Sequence, residues 1–371
     1  MNRTEPLRIG LLTGGGDCPG LNAVIRAVTR TAIAEGHASV IGIEDGFDGL
    51  YDGRMRLLNE REVDALLKEG GTVLGTSNKG DPWQFPVAGS DGSVRIEDVS
   101  RRMLQRLKDA RLDALVVVGG DGTMKIAHRL ALLGVPIVGV PKTIDNDLQA
   151  TDVSFGYDTA VGVVSDAIDK LRTTASSHHR VMLVEVMGRT AGWIALGGGL
   201  AGGADTILIP ELGFRWSSLL NHLQHRATHG QRYSIVCVAE GTPLPQGEVV
   251  LQSNDSRRTE PRQFGGIAAE LARQIQLRTP LDARAVVLGH LQRGGSPSAA
   301  DRLLATRFGV QAARAVLAGR FGVMVALHGQ AIVDVPLEQV AQGARQVPAD
   351  HDWITAARAV GVHLGDTPLR A

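Results

Sequence analysis

The chain has 371 residues, 39 basic and 39 acidic side chains, and 46 glycines. This glycine content is well above the usual share of about 7%. The even balance of charge argues against a nucleic-acid or membrane-surface protein, because such proteins usually carry a concentrated basic patch. No apolar run reaches the roughly 18 residues that a membrane span needs. The length favours two domains of roughly 100–200 residues each.

The first ten residues, MNRTEPLRIG, lack the apolar core of a signal peptide. The two cysteines, Cys18 and Cys237, lie in unrelated contexts and do not have the spacing of metal ligands. We therefore expect a cytoplasmic protein.

Short apolar runs rich in β-branched residues alternate with segments of helical spacing, which predicts an α/β fold with largely parallel sheets. In chain order the predicted elements are strand 9–12, helix 22–35, strand 114–118, helix 124–133, strand 136–140, helix 159–173, strand 181–186, strand 206–209, helix 217–228, strand 234–238, helix 267–276 and strand 285–288. Residues 242–264 are polar and aperiodic, and they are predicted to form a surface loop.

Glycine and charged residues follow six of these strands directly. The six segments are 13–17, 119–123, 141–147, 187–189, 240 and 290–295. Open α/β sheets bind ligands at the carboxyl ends of their strands. We therefore expect one crevice suited to a polyanion and a metal ion.

The first of these segments reads Thr-Gly-Gly-Gly-Asp and leads into a helix whose start is marked by Pro19 and Asn22. Glycines there let backbone N–H groups approach a phosphate at the helix end, but a plain tight turn explains them equally well. Pro19 stands where a dinucleotide-binding fingerprint needs its third glycine. The chain also has no Gly-Lys pair, which excludes a P-loop nucleotide site.

The second segment, GGDGT at residues 119–123, allows a nucleotide to approach the backbone. The Asp121 carboxylate is then a candidate ligand for a Mg²⁺ that bridges phosphates. The alternative is a glycine-rich turn in which Asp121 caps the next helix.

The third segment, PKTIDND at residues 141–147, is the best catalytic candidate. In extended backbone Asp145 and Asp147 face the same side, where with Thr143 they are placed to orient and deprotonate a hydroxyl group. A simple Asp-Asn-Asp turn remains the alternative.

Cationic residues lie just before or just after the remaining strands. The planar guanidinium of arginine can donate two hydrogen bonds to phosphate oxygens. These residues are Arg180, Arg189, Arg284, His290 and Arg293. The run Ser-Ser-His-His at 176–179 lacks the spacing of metal ligands, so we do not assign a metal to it.

The motifs GGDGT, TIDND, VEVMGR and GHLQRGGSP occur in the order and at the spacing of one family, so the chain resembles 6-phosphofructokinases over residues 9–343. The resemblance implies two Rossmann-like three-layer α/β/α domains, the phosphofructokinase fold. It also implies Mg²⁺-dependent transfer of the γ-phosphoryl group of ATP to the 1-hydroxyl of fructose 6-phosphate. Residues 1–156 plus 292–343 are expected to form the phosphoryl-donor domain, and residues 157–291 plus 344–371 the sugar-phosphate domain.

The resemblance assigns a role to each motif residue. Asp145 is the expected general base, Thr143 and Asp147 hold the sugar and its reacting hydroxyl, and Asp121 holds Mg²⁺. The donor site is lined by Gly16, Gly120, Asp121, Gly122 and Thr123. The sugar is contacted by Met187, Gly188, Arg189 and Glu240, and Arg189 also stabilises the transferring charge. The 6-phosphate is held by His290 and Arg293 together with Arg180 and Arg284 of a neighbouring subunit, which implies a homodimer or homotetramer.

Three departures from the family pattern bear on the donor and on regulation. Gly122 is typical of ATP users because a side chain there crowds the α-phosphate, whereas Lys142 is typical of pyrophosphate users; we favour ATP. Lys79 replaces an arginine of the donor site, without its planar fork. The effector-site positions of regulated bacterial members carry other residues here, namely Asp205, His229 and Gln231, which argues against control by ADP or phosphoenolpyruvate.

Three alternatives remain open. A pyrophosphate-dependent enzyme would use the same sugar site. An NAD or lipid kinase explains GGDGT but leaves TIDND and HLQRGG unexplained. A non-catalytic metabolite-binding regulator would be expected to lack the base or the metal ligand, yet Asp145 and Asp121 are both present.

Overall fold

The computed structural model describes residues 6–89, 93–254 and 262–366. The strands within these ranges are β1 (Arg8–Thr13), β2 (Ser39–Ile43), β3 (Met55–Leu58), β4 (Phe85–Ala88), β5 (Val94–Glu97), β6 (Ala114–Gly119), β7 (Ile137–Pro141), β8 (Val181–Val186), β9 (Thr206–Leu208), β10 (Ser234–Ala239), β11 (Leu251–Asn254), β12 (Arg262–Phe264), β13 (Ala283–Val287), β14 (Val323–His328) and β15 (Ala331–Pro336).

The helices of the same ranges are α1 (Leu21–Gly36), α2 (Phe47–Asp52), α3 (Glu60–Asp64), α4 (Ser100–Asp109), α5 (Asp121–Leu132), α6 (Tyr157–His178), α7 (Trp193–Ala201), α8 (Trp216–Thr228), α9 (Ile267–Arg278), α10 (Ala299–Leu317), α11 (Leu337–Val340) and α12 (Asp352–Ala359). Short 3₁₀ helices span Ala65–Lys68 and Gly289–Gln292. Each helix in the described part of the chain is too short or too polar to cross a bilayer.

Two sheets organise the fold. The larger has the strand order β15-β14-β7-β6-β1-β2-β3, with parallel neighbours in its centre and antiparallel pairs, β14 with β15 and β2 with β3, at its two edges. The smaller has the order β13-β8-β10-β9, and all its neighbours are parallel. The predicted α/β class is confirmed.

The first of two compact units contains the described residues of Met1–Thr143, Leu148–Gly156 and Arg293–Gly343. It holds the larger sheet, whose strand β6 is buried along its whole length. Burial of a parallel strand on both faces requires helices on both sides of the sheet. Its core includes Leu12, Val117 and Met324.

The second unit contains the described residues of Ile144–Asp147, Tyr157–Gln292 and Ala344–Ala371. It holds the smaller sheet, in which β8 and β10 are fully buried. Helix α7 packs so closely on its neighbours that its glycines cannot be replaced by larger residues without a clash. A Cβ at Gly198 would lie 2.6 Å from Val164 of α6, and one at Gly199 would lie 2.8 Å from Ile207 of β9.

The structure differs from the predicted elements in two places. Residues 242–264 are not simply a loop, because β11 and β12 pair as an antiparallel ribbon there; residues 255–261 lie outside the described residues.

The six predicted strand ends also do not share one sheet. Those at 13, 119 and 141 belong to the larger sheet, and those near 187, 240 and 288 belong to the smaller one.

Candidate active site

In the first unit, the glycine loop after β1 is fixed by a neighbouring segment of chain. The Gly15 N–H donates to the Ser77 carbonyl over 3.0 Å. The Thr76 hydroxyl donates to the carbonyl of Gly15 over 2.6 Å. Thr76 has no signal in the sequence, because it is a threonine outside any recognised motif. Lys79, two residues beyond Ser77, has an exposed side chain.

Asn22 does not mark the start of the helix after this loop. Helix α1 begins at Leu21, and its cap is Gly20 with a left-handed φ of 108°. The Asn22 side chain instead donates to the carbonyls of Glu69 and Gly70 and accepts from the Val73 N–H. Asn22 therefore ties residues 69–73 to α1.

Asp121 does not cap a helix through its side chain. It is the first residue of α5, and Gly120 is the cap, without a side-chain bond. One carboxylate oxygen of Asp121 pairs with Lys125 Nζ at 2.7 Å. The other, Oδ1, is buried and has no hydrogen-bond partner among the described residues. Such an oxygen fits a hard cation such as Mg²⁺, which prefers oxygen ligands.

No group of three His, Cys, Asp or Glu side chains in the described ranges is placed to hold a metal by itself. Mg²⁺ bound with nucleotides commonly takes one or two carboxylates and otherwise phosphate and water oxygens. A single available oxygen on Asp121 is therefore compatible with a metal that arrives with a phosphate donor.

Two cations converge on the glycine loop. Lys142, only 3% exposed, donates a hydrogen bond from its ammonium to the Gly16 carbonyl. Arg293 Nη1 donates to the Asp17 carbonyl over 3.0 Å. A Cβ on Gly16 would lie 2.8 Å from Arg293 Nη1. The structure thus brings Gly16, Lys142 and Arg293 together within this unit.

The GGDGT turn joins the same group of residues. A Cβ on Gly14 would lie 2.9 Å from Thr123, and one on Gly120 would lie 3.3 Å from the Lys142 carbonyl. A Cβ on Gly122, by contrast, would meet no atom within 4 Å. Gly122 is exposed in the first turn of α5, so this turn is open to solvent at that position.

Cys18 follows the glycine loop and is fully buried. Burial raises the pKa of its thiol to about 12, although the nearby charge of Lys142 acts in the opposite direction. The thiol therefore stays protonated near neutral pH, and Cys18 is not a nucleophile.

The TIDND motif is a turn and not extended backbone. Residues 144 and 145 form the turn, and Asn146 adopts a left-handed φ of 52°. The argument that Asp145 and Asp147 share a face because they lie two residues apart is therefore wrong for this segment. Asn is one of the few residues that tolerate left-handed backbone. Asp145 is half-buried, and its Oδ1 atom is fully buried.

In the second unit, the segments after β8 and β10 lie together. The Gly241 N–H donates to the Gly188 carbonyl over 3.0 Å, and the Arg189 guanidinium lies 3.9 Å from Glu240 Oε1. Gln292 accepts a bond of 3.3 Å from the Met187 N–H, which links this group to the 3₁₀ helix that carries the exposed His290.

Arg180 and Arg284 do not lie with that group. Both bind Asp282: Arg180 Nε lies 2.6 Å from Oδ2, and Arg284 Nη1 lies 2.6 Å from Oδ1. The hydrogen bond from Arg180 holds the pKa of the Asp282 carboxyl below its usual value.

These two arginines are at the amino ends of β8 and β13, which run parallel, whereas Met187 and His290 follow the carboxyl ends. A strand of six residues separates the two ends by about 20 Å. Within one chain, Arg180 and Arg284 therefore lie apart from Met187 and His290.

A sequence model of the phosphofructokinase family matches residues 8–316. The chain is 44% identical over 364 residues to the "ATP-dependent 6-phosphofructokinase 2" of Clostridium perfringens, covering 98% of this chain and 100% of that protein. It is 48% identical over 360 residues to the "ATP-dependent 6-phosphofructokinase" of Chloroflexus aggregans, covering 97% of this chain and 98% of that protein.

Among solved structures, phosphofructokinase of Pichia pastoris in the T-state matches with a TM-score of 0.77 and 31% identity. The match covers 97% of this chain but 37% of that one, so this chain spans little more than a third of its length. The sequence and the fold agree, and the chain belongs to the phosphofructokinase family.

Proposed function

We propose that this chain is an ATP-dependent 6-phosphofructokinase, which transfers the γ-phosphoryl group of ATP to the 1-hydroxyl of fructose 6-phosphate in glycolysis. The observation that carries the proposal is the 48% identity over 97% of the chain to a relative named for that activity. No helix of the described residues is suited to a membrane, and we expect the enzyme to act in the cytoplasm.

The phosphoryl donor binds in the first unit, between the glycine loop and the GGDGT turn. Gly16, Gly120, Gly122 and Thr123 allow the phosphates to approach the backbone, and the positive end of α5 favours them electrostatically. Asp121 Oδ1 would hold Mg²⁺, and the metal would supply positive charge to neutralise the donor phosphates. Lys142 holds the glycine loop through its bond to the Gly16 carbonyl, and Lys79 supplies a further exposed cation.

The sugar phosphate binds to residues of the TIDND turn and of the second unit. Asp145 accepts the proton of the attacking hydroxyl, while Thr143 and Asp147 orient that hydroxyl. Met187, Gly188 and Glu240 contact the sugar, and His290 contacts its 6-phosphate. Arg189 stabilises the charge on the transferring group, because an arginine fork matches phosphoryl oxygens.

The 6-phosphate site is completed by a second subunit. Arg180 and Arg284 sit at the opposite ends of their strands from His290, so their side chains serve the site of a neighbouring copy in a homodimer or homotetramer. Arg293, which contacts the glycine loop through the Asp17 carbonyl, is the further cation that we propose for the 6-phosphate.

A second candidate function is transfer from pyrophosphate to the same hydroxyl. It is favoured by Lys142, whose buried ammonium adjoins the donor loop. The open space at Gly122 argues for the larger donor, since ATP must place its α-phosphate and nucleoside beyond the two phosphates that pyrophosphate has.

The experiment is to incubate the purified protein with fructose 6-phosphate, MgATP and a trace of γ-labelled ATP, and to identify the sugar product. Label in fructose 1,6-bisphosphate supports the proposal. The proposal is refuted if the label appears only in inorganic phosphate, or if the consumption of ATP does not depend on the sugar.

A further inference from the structure

The segment 344–347 packs directly on the turn that carries the proposed base. The backbone N–H of Arg345 donates to the Asp147 carbonyl over 2.6 Å. Its guanidinium Nη2 donates to the Asn146 carbonyl over 2.8 Å. One arginine thus binds two successive carbonyls of TIDND, about 200 residues earlier in the chain, and both partners belong to the second unit.

Arg345 is itself held from the other side by Trp193, the first residue of α7. The indole Nε1 donates to the Arg345 carbonyl over 3.0 Å, and the guanidinium carbon lies 4.7 Å from the centre of the indole ring. Trp193 is buried, and its own carbonyl accepts a 3.0 Å bond from the Tyr157 hydroxyl. The arginine therefore connects the turn to a rigid part of the core.

The two residues after Arg345 bind the loop that carries Arg189. Gln346 Nε2 donates to the Thr190 carbonyl over 3.3 Å. The N–H groups of Val347 and Gly192 both donate to one oxygen of Glu211, each over 2.9 Å. The same short segment thus fixes the turn of Asp145 and the loop of Arg189.

The turn needs such support because of its backbone. Asn146 has a left-handed φ of 52° and is 4% exposed. Asn tolerates this conformation better than most residues, but the conformation still costs free energy that the surroundings must offset. A donor on the Asn146 carbonyl and another on the Asp147 carbonyl fix the two peptides that follow the left-handed residue.

We propose that Arg345 is a positioning residue of the phosphoryl transfer: it holds the TIDND turn in the geometry that aims Asp145 at the sugar hydroxyl. It acts through the main chain and need not touch substrate. The proposal rests on the proposed function for its kinetic consequence, but the restraint on the turn can be measured separately.

The test compares the full-length wild type with Arg345→Met, which removes the guanidinium but keeps the stem, and with Arg345→Lys, which keeps the charge. Arg358→Met is the matched control, because Arg358 is a partly exposed arginine of α12 that pairs with Asp366. Hydrogen exchange of residues 144–148 measures how firmly the turn is held, and steady-state kinetics separate an effect on kcat from one on the KM for fructose 6-phosphate.

Arg345→Met is expected to exchange faster at residues 144–148 and to lose about tenfold to a hundredfold in kcat, the scale of effect of a small misplacement of reacting groups, with a much smaller change in the KM for fructose 6-phosphate. Arg345→Lys keeps a donor that can reach the Asn146 carbonyl, so it is expected to restore part of kcat and to slow the exchange again.

The proposal is overturned if exchange at the turn and kcat of Arg345→Met match those of Arg358→Met. It is also overturned if kcat falls while exchange at residues 144–148 stays unchanged, since that pattern indicates a loss of folded enzyme only. If Arg345→Met does not fold, exchange at residues 144–148 and kcat are measured on Arg345→Lys instead, and the same criteria apply. A wild type without sugar-dependent turnover refutes the proposed function, but the exchange comparison still decides the role of Arg345 at the turn.

Discussion

The ammonium of Lys142 donates a hydrogen bond to the carbonyl of Gly16. The lysine lies immediately before Thr143 and is almost fully buried. Its charge is therefore engaged with the backbone of the donor loop, and it contributes to the shape of that loop whichever donor is used. This contact offers a reason for a lysine to occur together with Gly122 in one chain.

Replacing Lys142 by methionine should weaken donor binding, because the glycine loop loses a charge-assisted bond of about 1.5–3 kcal/mol. We expect the KM for ATP to rise by about tenfold or more and kcat to change less. Initial rates at saturating fructose 6-phosphate measure this. Lys170→Met is the control, since Lys170 is an exposed lysine of α6 paired with Asp166. An unchanged KM for ATP in the Lys142 variant would show that the contact does not shape the donor site.

Replacing Gly122 by aspartate should impair use of ATP much more than use of pyrophosphate. The backbone accepts a side chain there, because a Cβ meets no atom within 4 Å. The loss is therefore expected to come from repulsion of the α-phosphate and not from misfolding. Gly162→Asp is a matched control on α6, where a Cβ also meets no atom within 4 Å. Equal losses of kcat/KM with both donors would contradict the steric argument.

Replacing Asp145 by serine should remove the general base while leaving the turn intact. We expect turnover to fall by about two to four orders of magnitude, the usual contribution of general base catalysis. Binding of fructose 6-phosphate, measured by calorimetry, should be nearly unchanged. Turnover close to that of the wild type would refute the role assigned to Asp145.

Sites shared between subunits should allow complementation of two inactive chains. In a hybrid of Asp145→Ser with Arg284→Ala, one site combines an intact Asp145 with an intact Arg284 from its neighbour. We expect the hybrid to regain a substantial part of wild-type activity, whereas each variant alone stays weak. Hybrids formed by co-expression and separated by two different affinity tags provide the measurement. Activity no higher than the average of the two parents would place Arg284 outside a shared site.

The sequence predicted most of the strands and helices because alternating apolar runs and helical spacing are local signals. Strand 181–186 was predicted at its observed bounds, and strand 9–12 differs by one residue at each end. The glycine loop and the GGDGT segment come together as expected, since they follow two neighbouring parallel strands, β1 and β6.

What the sequence could not supply depends on contacts between distant parts of the chain. Nothing near Arg345 in the sequence indicates that its guanidinium binds the Asn146 carbonyl. The backbone of TIDND was misjudged because spacing by two implies a shared face only in extended strands. The spacing of Arg180, Arg284 and His290 along the chain also does not show that the two arginines lie at the amino ends of their strands and that His290 follows a carboxyl end.

The central claim is that the chain phosphorylates fructose 6-phosphate with ATP. Its most direct test is the steady-state rate with saturating fructose 6-phosphate and Mg²⁺, measured in parallel with ATP and with pyrophosphate. We predict sugar-dependent turnover with ATP and a lower kcat/KM with pyrophosphate. Turnover with pyrophosphate alone would contradict the claim.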